Sequence, residues 1–280
     1  MNHHSRTAEP VPRHIGPADI RAAAPDRPLV CLTAYTAPVA AYLDPLCDLL
    51  LVGDSLGMVI YGMDGTVGVT LDMMIAHGRA VTRRAHHARV VVDLPAGSYE
   101  DGPEQALESA RRVMEETGAD AVKLEGGVAV EASIAALVED GIPVLGHIGL
   151  LPQHAEDGFR IQRRGEDGAR QVLEDARAVE RAGAFAVVIE GTVEPVARRV
   201  TETISIPTIG IGASAACSGQ ILVTDDLLGL YDGHLPKFAE RYADLAGTIR
   251  EAAQRWADDV RSRAFPAERN TYAEKPARKG

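Results

Sequence analysis

Ala121-Val122-Lys123-Leu124-Glu125-Gly126-Gly127, continued by the apolar positions Val130, Ile134 and Leu137, then by Gly141 and Ile142-Pro143-Val144-Leu145-Gly146-His147, decides the fold class. A short, mainly apolar run ends in polar residues and glycine. A stretch with helical spacing of apolar residues follows, and a second apolar run succeeds a helix-stopping glycine. A parallel strand buried on both faces needs near-continuous apolarity, whereas a helix lying against a sheet needs only one apolar stripe. The segment therefore predicts strand, helix and parallel strand.

The same unit recurs on both sides of it. Apolar runs lie at Leu29 to Leu32, Leu49 to Val52, Val90 to Val92, Ala121 to Leu124, Ile142 to Leu145, Phe185 to Ile189, Ile206 to Ile211 and Ile221 to Val223. Between them, Ala106, Ala110 and Val113, and later Val172, Ala176 and Val179, give helical stripes. Asp101 and Glu104 are spaced like a capping box with Pro103 in the first turn, and Gly118, Gly141 and Gly183 stand where helices should stop. Repeated strand–helix alternation predicts a (β/α)₈ TIM-type barrel over residues 29–265, with an N-terminal arm over 1–28 and a C-terminal tail over 266–280. Counting alone leaves open a doubly wound sheet.

Composition narrows the function. The chain has 280 residues, 46% of them hydrophobic, and a formal charge of -11, which repels phosphate backbones and anionic membranes. Nucleic acid and membrane are not expected partners. Cys31, Cys47 and Cys217 fit no metal-ligand spacing and read as thiols of a reducing compartment. No apolar run reaches membrane-spanning length and the start lacks a signal-peptide pattern, so a cytoplasmic enzyme is expected.

In α/β barrels the active site lies at the carboxyl ends of the strands. Here those ends carry Gly53-Asp54-Ser55, Asp93, Lys123-Leu124-Glu125, Gly146-His147, Glu190 and Gly210-Ile211-Gly212. Taken alone, Asp54 or Asp93 reads as a helix-capping carboxylate. Together, the carboxylates are costly to desolvate without a cation, and oxygen ligation without paired Cys or His favours magnesium over zinc. Lys123, two residues before Glu125 on one strand, faces the same way and reads equally as a site residue or a structural partner. Gly53-Asp54-Ser55-Leu56 also spells a serine-esterase motif, but Asp232-Gly233-His234 has the wrong spacing for its base. Gly210-Ile211-Gly212-Ala213 lacks the remainder of a dinucleotide fingerprint and reads as a tight turn. His86-His87 and His3-His4 read as solvated, and Met58, Met63, Met73 and Met74 as packing. A catalytically silent binding protein on the same scaffold is the alternative of another class.

At these residues the chain resembles the ketopantoate hydroxymethyltransferase family, from about Cys31 to Pro266. The resemblance is carried by Leu32-Thr33-Ala34-Tyr35, Leu51-Val52-Gly53-Asp54-Ser55-Leu56-Gly57, Asp93-Leu94-Pro95, Val122 to Gly127, Gly146-His147-Ile148-Gly149-Leu150 with Pro152-Gln153, and Ile206 to Ala213. It implies a TIM-type barrel that uses Mg2+ and 5,10-methylenetetrahydrofolate, works in pantothenate synthesis and assembles as a decamer. By position it implies Asp54 and Asp93 as magnesium ligands with Glu125 beside the ion, and Ser55 at the substrate carboxylate. Lys123 and His147 would line the substrate, and Glu190 would be the base. An ion chelated by a 2-oxo acid would make the adjacent proton removable, and the enolate would attack the one-carbon unit of the folate.

Thr36, Met63, Ala96, Arg163, Ser214, Ser218 and Asn270 depart from the family pattern. Ala96, in place of Phe beside Asp93, has two readings: a pocket that accepts a bulkier or more polar 2-oxo acid, as in a paralogue serving a specialised pathway, or a space filled by Met63 or a shifted loop with the family's reaction kept.

Overall fold

The structure, a computed structural model, describes residue 20 and residues 27–154, 165–231, 233 and 235–272. Its strands are β1 (Leu29–Thr33), β2 (Leu49–Val52), β3 (Arg89–Asp93), β4 (Ala121–Glu125), β5 (Val144–Gly149), β6 (Ala186–Glu190), β7 (Thr208–Ile211) and β8 (Gly219–Leu222). All neighbours pair in parallel, and β8 pairs with β1, closing the barrel. The (β/α)₈ expectation holds, and the open-sheet alternative is excluded by that last pairing.

The α-helices that describe the outer layer are α1 (Ala37–Leu43), α2 (Leu56–Val59), α3 (Leu71–Thr82), α4 (Pro103–Thr117), α5 (Glu131–Glu139), α6 (Gly165–Arg181) and α7 (Glu194–Thr203). Side chains alternate along each strand between two apolar clusters. Leu49, Leu51, Val91, Ala121, Leu145, Ala186, Val188 and Ile209 share one with Ile20, inside the barrel. Leu50, Val52, Val90, Val92, Val122 and Leu124 share the other with Ala110, Val113, Ile134, Leu137, Val172 and Val179 of the helices. Continuous apolarity of the strands thus reflects burial on both faces. The alternation also fixes chemistry: Lys123 and Glu125 have the parity of Ala121, Asp93 that of Val91, His147 that of Leu145, and Glu190 that of Val188, all inward.

The predicted helix stops are borne out by positive φ at Gly118 (68°), Gly141 (82°) and Gly183 (91°). Two local expectations need correction. β5 starts at Val144, after Pro143, because proline has no N–H to give to the ladder. The capping box at Asp101 and Glu104 does not form. Gly102, at φ 111°, is the N-cap of α4 and carries no side-chain cap, so Pro103 is the first helical residue and Glu104 sits one position too early for the box. Gln105 meets the local need instead, its Oε1 accepting from Asp101 N at 2.9 Å and its Nε2 donating to Gly97 O at 3.0 Å.

The chain divides after Thr224 into two compact units. The second, from Asp225, contains α8 (Leu245–Ser262), capped by the Asp244 side chain, which accepts from Gly247 N at 2.9 Å. Among the described residues no helix is long and apolar enough to cross a membrane.

Candidate active site

β3, β4, β5 and β6 lie side by side, and their register brings the predicted polar residues into contact. Asp93 pairs with Lys123 and Glu125 with His147 across adjacent strands, while Glu190 pairs with Gly149, two residues beyond His147. Lys123 Nζ consequently lies 2.8 Å from Asp93 Oδ1. His147 bridges two carboxylates, with Nδ1 3.2 Å from Glu125 Oε1 and Nε2 3.2 Å from Glu190 Oε2. Neither contact has hydrogen-bond alignment, so both are charge contacts. Asp54, two residues past β2, donates its backbone N–H to Asp93 Oδ2 at 3.0 Å, which seats the two acidic residues next to each other. Gly149 permits the close approach beside Glu190: at φ 95°, a Cβ there would stand 2.3 Å from Glu190 O.

The electrostatics follow from this packing. Asp54, Asp93, Lys123, Glu125 and His147 are buried, and Glu190 alone is partly open, its side chain 14% exposed. Burial, then the charge of Asp93, pushes the Asp54 carboxyl up to about 7, with Lys123 and then Gln153 pulling the other way. Burial also raises Asp93, against the pull of Lys123. Burial alone would favour neutral Lys123, but Asp93, Glu125 and Asp54 overcome it and hold the ammonium charged. For His147 burial is likewise outweighed, chiefly by Glu125, and its pKa rises to about 9. Burial opposes ionisation of Glu125 as well, yet His147 and Lys123 leave that carboxyl below its ordinary value.

Four carboxylates thus face one ammonium and one imidazolium, a formal excess of two negative charges when all are ionised. A divalent cation fits that excess. Among the described residues no three His, Cys, Asp or Glu side chains converge as a ligand set. Glu125 is the reason: Oε1 faces His147, and Oε2 accepts from Gln153 N at 3.1 Å. Asp54 and Asp93 remain as a pair of hard oxygen donors, and one or two carboxylates are what magnesium usually takes from protein.

Ser55 lies at the same rim, its Oγ 2.8 Å from Tyr35 Oη. Three contributors escaped the sequence reading. Tyr99, buried in the turn after β3, donates to Gln153 Oε1 at 2.5 Å. Gln153, in the turn after β5, reaches Asp54 Oδ2 with Nε2 at 2.8 Å. Tyr35, after β1, is the partner of Ser55. Gln153 and Tyr35 stand in the motifs that carried the resemblance, but neither residue type announces a role.

The departures from the family pattern scatter. Thr36 and Ala96 are half-buried, and Met63 packs on the outer apolar cluster. Ser214 Oγ donates to Glu194 Oε1 at 2.9 Å, and Ser218 Oγ accepts from Thr208 N at 3.2 Å. Asn270 is exposed in the second unit, while Arg163, His3-His4, Asp232 and His234 lie outside the described residues. His86 and His87 are exposed, as expected of solvated residues.

A closed parallel barrel with a buried carboxylate, lysine and histidine cluster at its carboxyl ends has the layout of a barrel enzyme. Comparison with known proteins supplies the particular kind. The ketopantoate hydroxymethyltransferase family matches residues 17–268. A 3-methyl-2-oxobutanoate hydroxymethyltransferase of Brucella canis (strain ATCC 23365 / NCTC 10854 / RM-666) is 56% identical over 266 residues, covering 94% of this chain and 97% of the relative. The protein of that name from Rhodospirillum rubrum is 59% identical over 247 residues, 88% of this chain and 89% of the relative. The chain belongs to the ketopantoate hydroxymethyltransferase family, and it is a transferase. Among solved structures, 2,3-dimethylmalate lyase, a PEP mutase/isocitrate lyase superfamily member, superposes with TM-score 0.58 at 16% identity, over 93% of this chain and 91% of its own. A phosphonopyruvate hydrolase complex with oxalate and Mg++ superposes with TM-score 0.58 at 14% identity, over 91% and 93%. These two share the barrel fold.

Proposed function

We propose that the cluster converts 3-methyl-2-oxobutanoate to ketopantoate, with Mg2+ held by Asp54 and Asp93 and with 5,10-methylenetetrahydrofolate as one-carbon donor, in pantothenate synthesis. The observation that carries this reading is the adjacent, buried pair Asp54 and Asp93. They have raised affinity for protons, and Lys123 is the one cationic side chain placed against the pair, so a divalent ion is the natural additional counter-charge. The Mg++ in the phosphonopyruvate hydrolase complex, on the same fold, agrees with it. When bound, the ion supplies Lewis-acid stabilisation of the charge that develops on the keto oxygen.

The chain's own groups do the rest. Ser55 binds the substrate carboxylate, and Lys123, kept charged by its neighbours, adds positive potential beside the developing oxyanion. Glu190 takes the proton from the carbon next to the keto group. His147, an imidazolium through Glu125, faces one Glu190 oxygen and leaves the other for that proton. The resulting enolate carbon bonds to the methylene carbon as one of its two carbon–nitrogen bonds to the folate breaks; water then supplies the hydroxyl as the second breaks, and the proton taken by Glu190 and one from the water go to the two folate nitrogens. The reading includes a homo-oligomer, as the family resemblance implies.

Deuterium exchange into 3-methyl-2-oxobutanoate without folate tests the central assignment. Glu190→Gln keeps shape and loses basicity, so exchange should fall by about 10²- to 10⁴-fold. Undiminished exchange moves the base elsewhere, first to His147.

A further inference from the structure

Gln153 touches two of the site's carboxylates, one with its backbone and the other with its side chain. Its backbone N–H donates to Glu125 Oε2 at 3.1 Å, and its side-chain Nε2 donates to Asp54 Oδ2 at 2.8 Å and to Leu94 O at 3.0 Å. A carboxamide has two orientations, and only one suits this place. With Nε2 toward Asp54 and Leu94, two acceptors each receive a proton. Flipped, Oε1 would face both of them with nothing to donate.

Tyr99 removes the remaining ambiguity. Its hydroxyl accepts from Glu125 N at 3.2 Å and has two acceptors in reach, Gln153 Oε1 at 2.5 Å and Glu125 O at 3.3 Å. Burial and nearby carboxylates, Glu125 first, raise the phenol well above its ordinary pKa, so it keeps its proton. The much shorter contact takes that proton to Oε1, which matches its being the carbonyl oxygen. Tyr99 and Gln153 are buried, so water is not a ready substitute for either partner.

We propose that Gln153, locked in one amide orientation by Tyr99, is a positioning residue that aims the Asp54 carboxylate. Pinning Oδ2 leaves Oδ1 to meet the cation, while the Gln153 backbone holds Glu125 turned toward His147 and away from the ligand pair. The turn after β5 thereby sets which carboxylates ligate and which one orients the histidine. This rests on the reading of Asp54 as an ion ligand.

The test uses the full chain with Mn2+ as a paramagnetic probe: binding is followed by electron paramagnetic resonance without substrate, thermal unfolding is recorded for each variant, and turnover is measured separately with substrate present. Hydrogen-bond partners of ligating carboxylates typically cost about 10- to 100-fold in metal affinity on removal, and Gln153→Met should weaken Mn2+ binding by that amount. Tyr99→Phe keeps the amide but frees its orientation, and should weaken binding by a smaller factor of about 3 to 10. In both variants kcat should recover toward wild type at saturating Mn2+, a rescue that loss of packing alone would not give. Should Gln153→Met fail to fold, Tyr99→Phe decides. Unchanged Mn2+ affinity in the variants, with only a lowered unfolding temperature, overturns the positioning role. Asp54→Ala is the control: if it retains Mn2+ affinity, the ligand reading fails and this inference with it, whereas loss in Asp54→Ala alone overturns this inference only.

Discussion

Asp48 and Asp54 stand at opposite ends of the same four-residue strand, and their surroundings could hardly differ more. Before β2, Asp48 accepts from Val30 N at 2.9 Å and from Arg27 Nη1 at 2.8 Å. Burial opposes its ionisation, but Arg27 and the Val30 N–H prevail and bring the carboxyl below its ordinary pKa. Its neighbour Asp44 is as well served, one oxygen accepting from the N–H groups of His86, His87 and Ala88 at 2.9, 2.8 and 2.8 Å. Past β2, Asp54 meets carboxylates, and its pKa climbs to about 7. The amino end uses acids to satisfy backbone donors and tie loops together. At the carboxyl end, four acids share one ammonium and one imidazole, an excess of negative charge that suits a further cation.

The sharpest way to break this contrast is to remove the acids at each end. Asp54→Ala and Asp93→Ala should each lower turnover by about 10³-fold or more, since an ion's charge stabilisation is worth several kcal/mol. Without metal, Asp54→Ala should hold or raise the unfolding temperature, because repulsion between buried like charges is relieved, whereas Asp93→Ala should lower it, because buried Lys123 loses its partner at 2.8 Å. Steady-state kinetics with calorimetry on one preparation checks both halves, and full activity in the presence of a chelator would defeat the assignment. Asp48→Ala should do the reverse, costing about 1.5–3 kcal/mol of stability, typical of hydrogen bonds to a charged group, with kcat unaltered. Urea unfolding beside the same assay reads that outcome.

The two aspartates also predict opposite responses to pH. Unfolded, each carboxyl releases its proton near 3.8. Folded without metal, Asp54 keeps its proton up to about 7, so this group lowers stability as pH rises from about 4 to about 7. Asp48, depressed in the fold, contributes stability that is complete above 3.8 and is lost as pH falls through its folded value. A cation must displace the Asp54 proton, so affinity should fall by up to about tenfold per pH unit below about 7. Calorimetric Mn2+ titrations on either side of that pH measure it, and a flat profile would place the ligand charge elsewhere.

The smallest expected effect concerns specificity. Ala96, half-buried two residues after Leu94, follows the ligand candidate Asp93 on the rim. Ala96→Phe should shift the kcat/KM ratio of 3-methyl-2-oxobutanoate over larger or more polar 2-oxo acids by about tenfold toward the former, the scale of a hydrophobic pocket change. If the wild type already prefers 3-methyl-2-oxobutanoate over every such acid, the altered-pocket expectation fails and neighbouring side chains fill the space of the ring.

The eight strands, the helical stripes and the stops at Gly118, Gly141 and Gly183 were legible in the sequence, because a parallel strand covered on both faces writes its burial directly into consecutive residues. The polar residues Asp54, Asp93, Lys123, Glu125, His147 and Glu190 were legible for the same reason: each interrupts or ends an apolar run at the functional rim. The capping box was misread because one glycine at positive φ moves a helix start by a residue, and spacing does not reveal backbone conformation. Closure, too, lay beyond the linear pattern, since it depends on β8 finding β1 across the whole barrel. So did the division of labour among the acids. Gln153 and Asp54 are 99 residues apart in the chain, and the hydrogen bond between them exists only because the closed sheet brings the ends of β2 and β5 to one mouth. Sequence fixes which groups are offered there; interstrand register, which no single segment encodes, decides that Glu125 meets His147 and that Asp93 meets Lys123, beside Asp54.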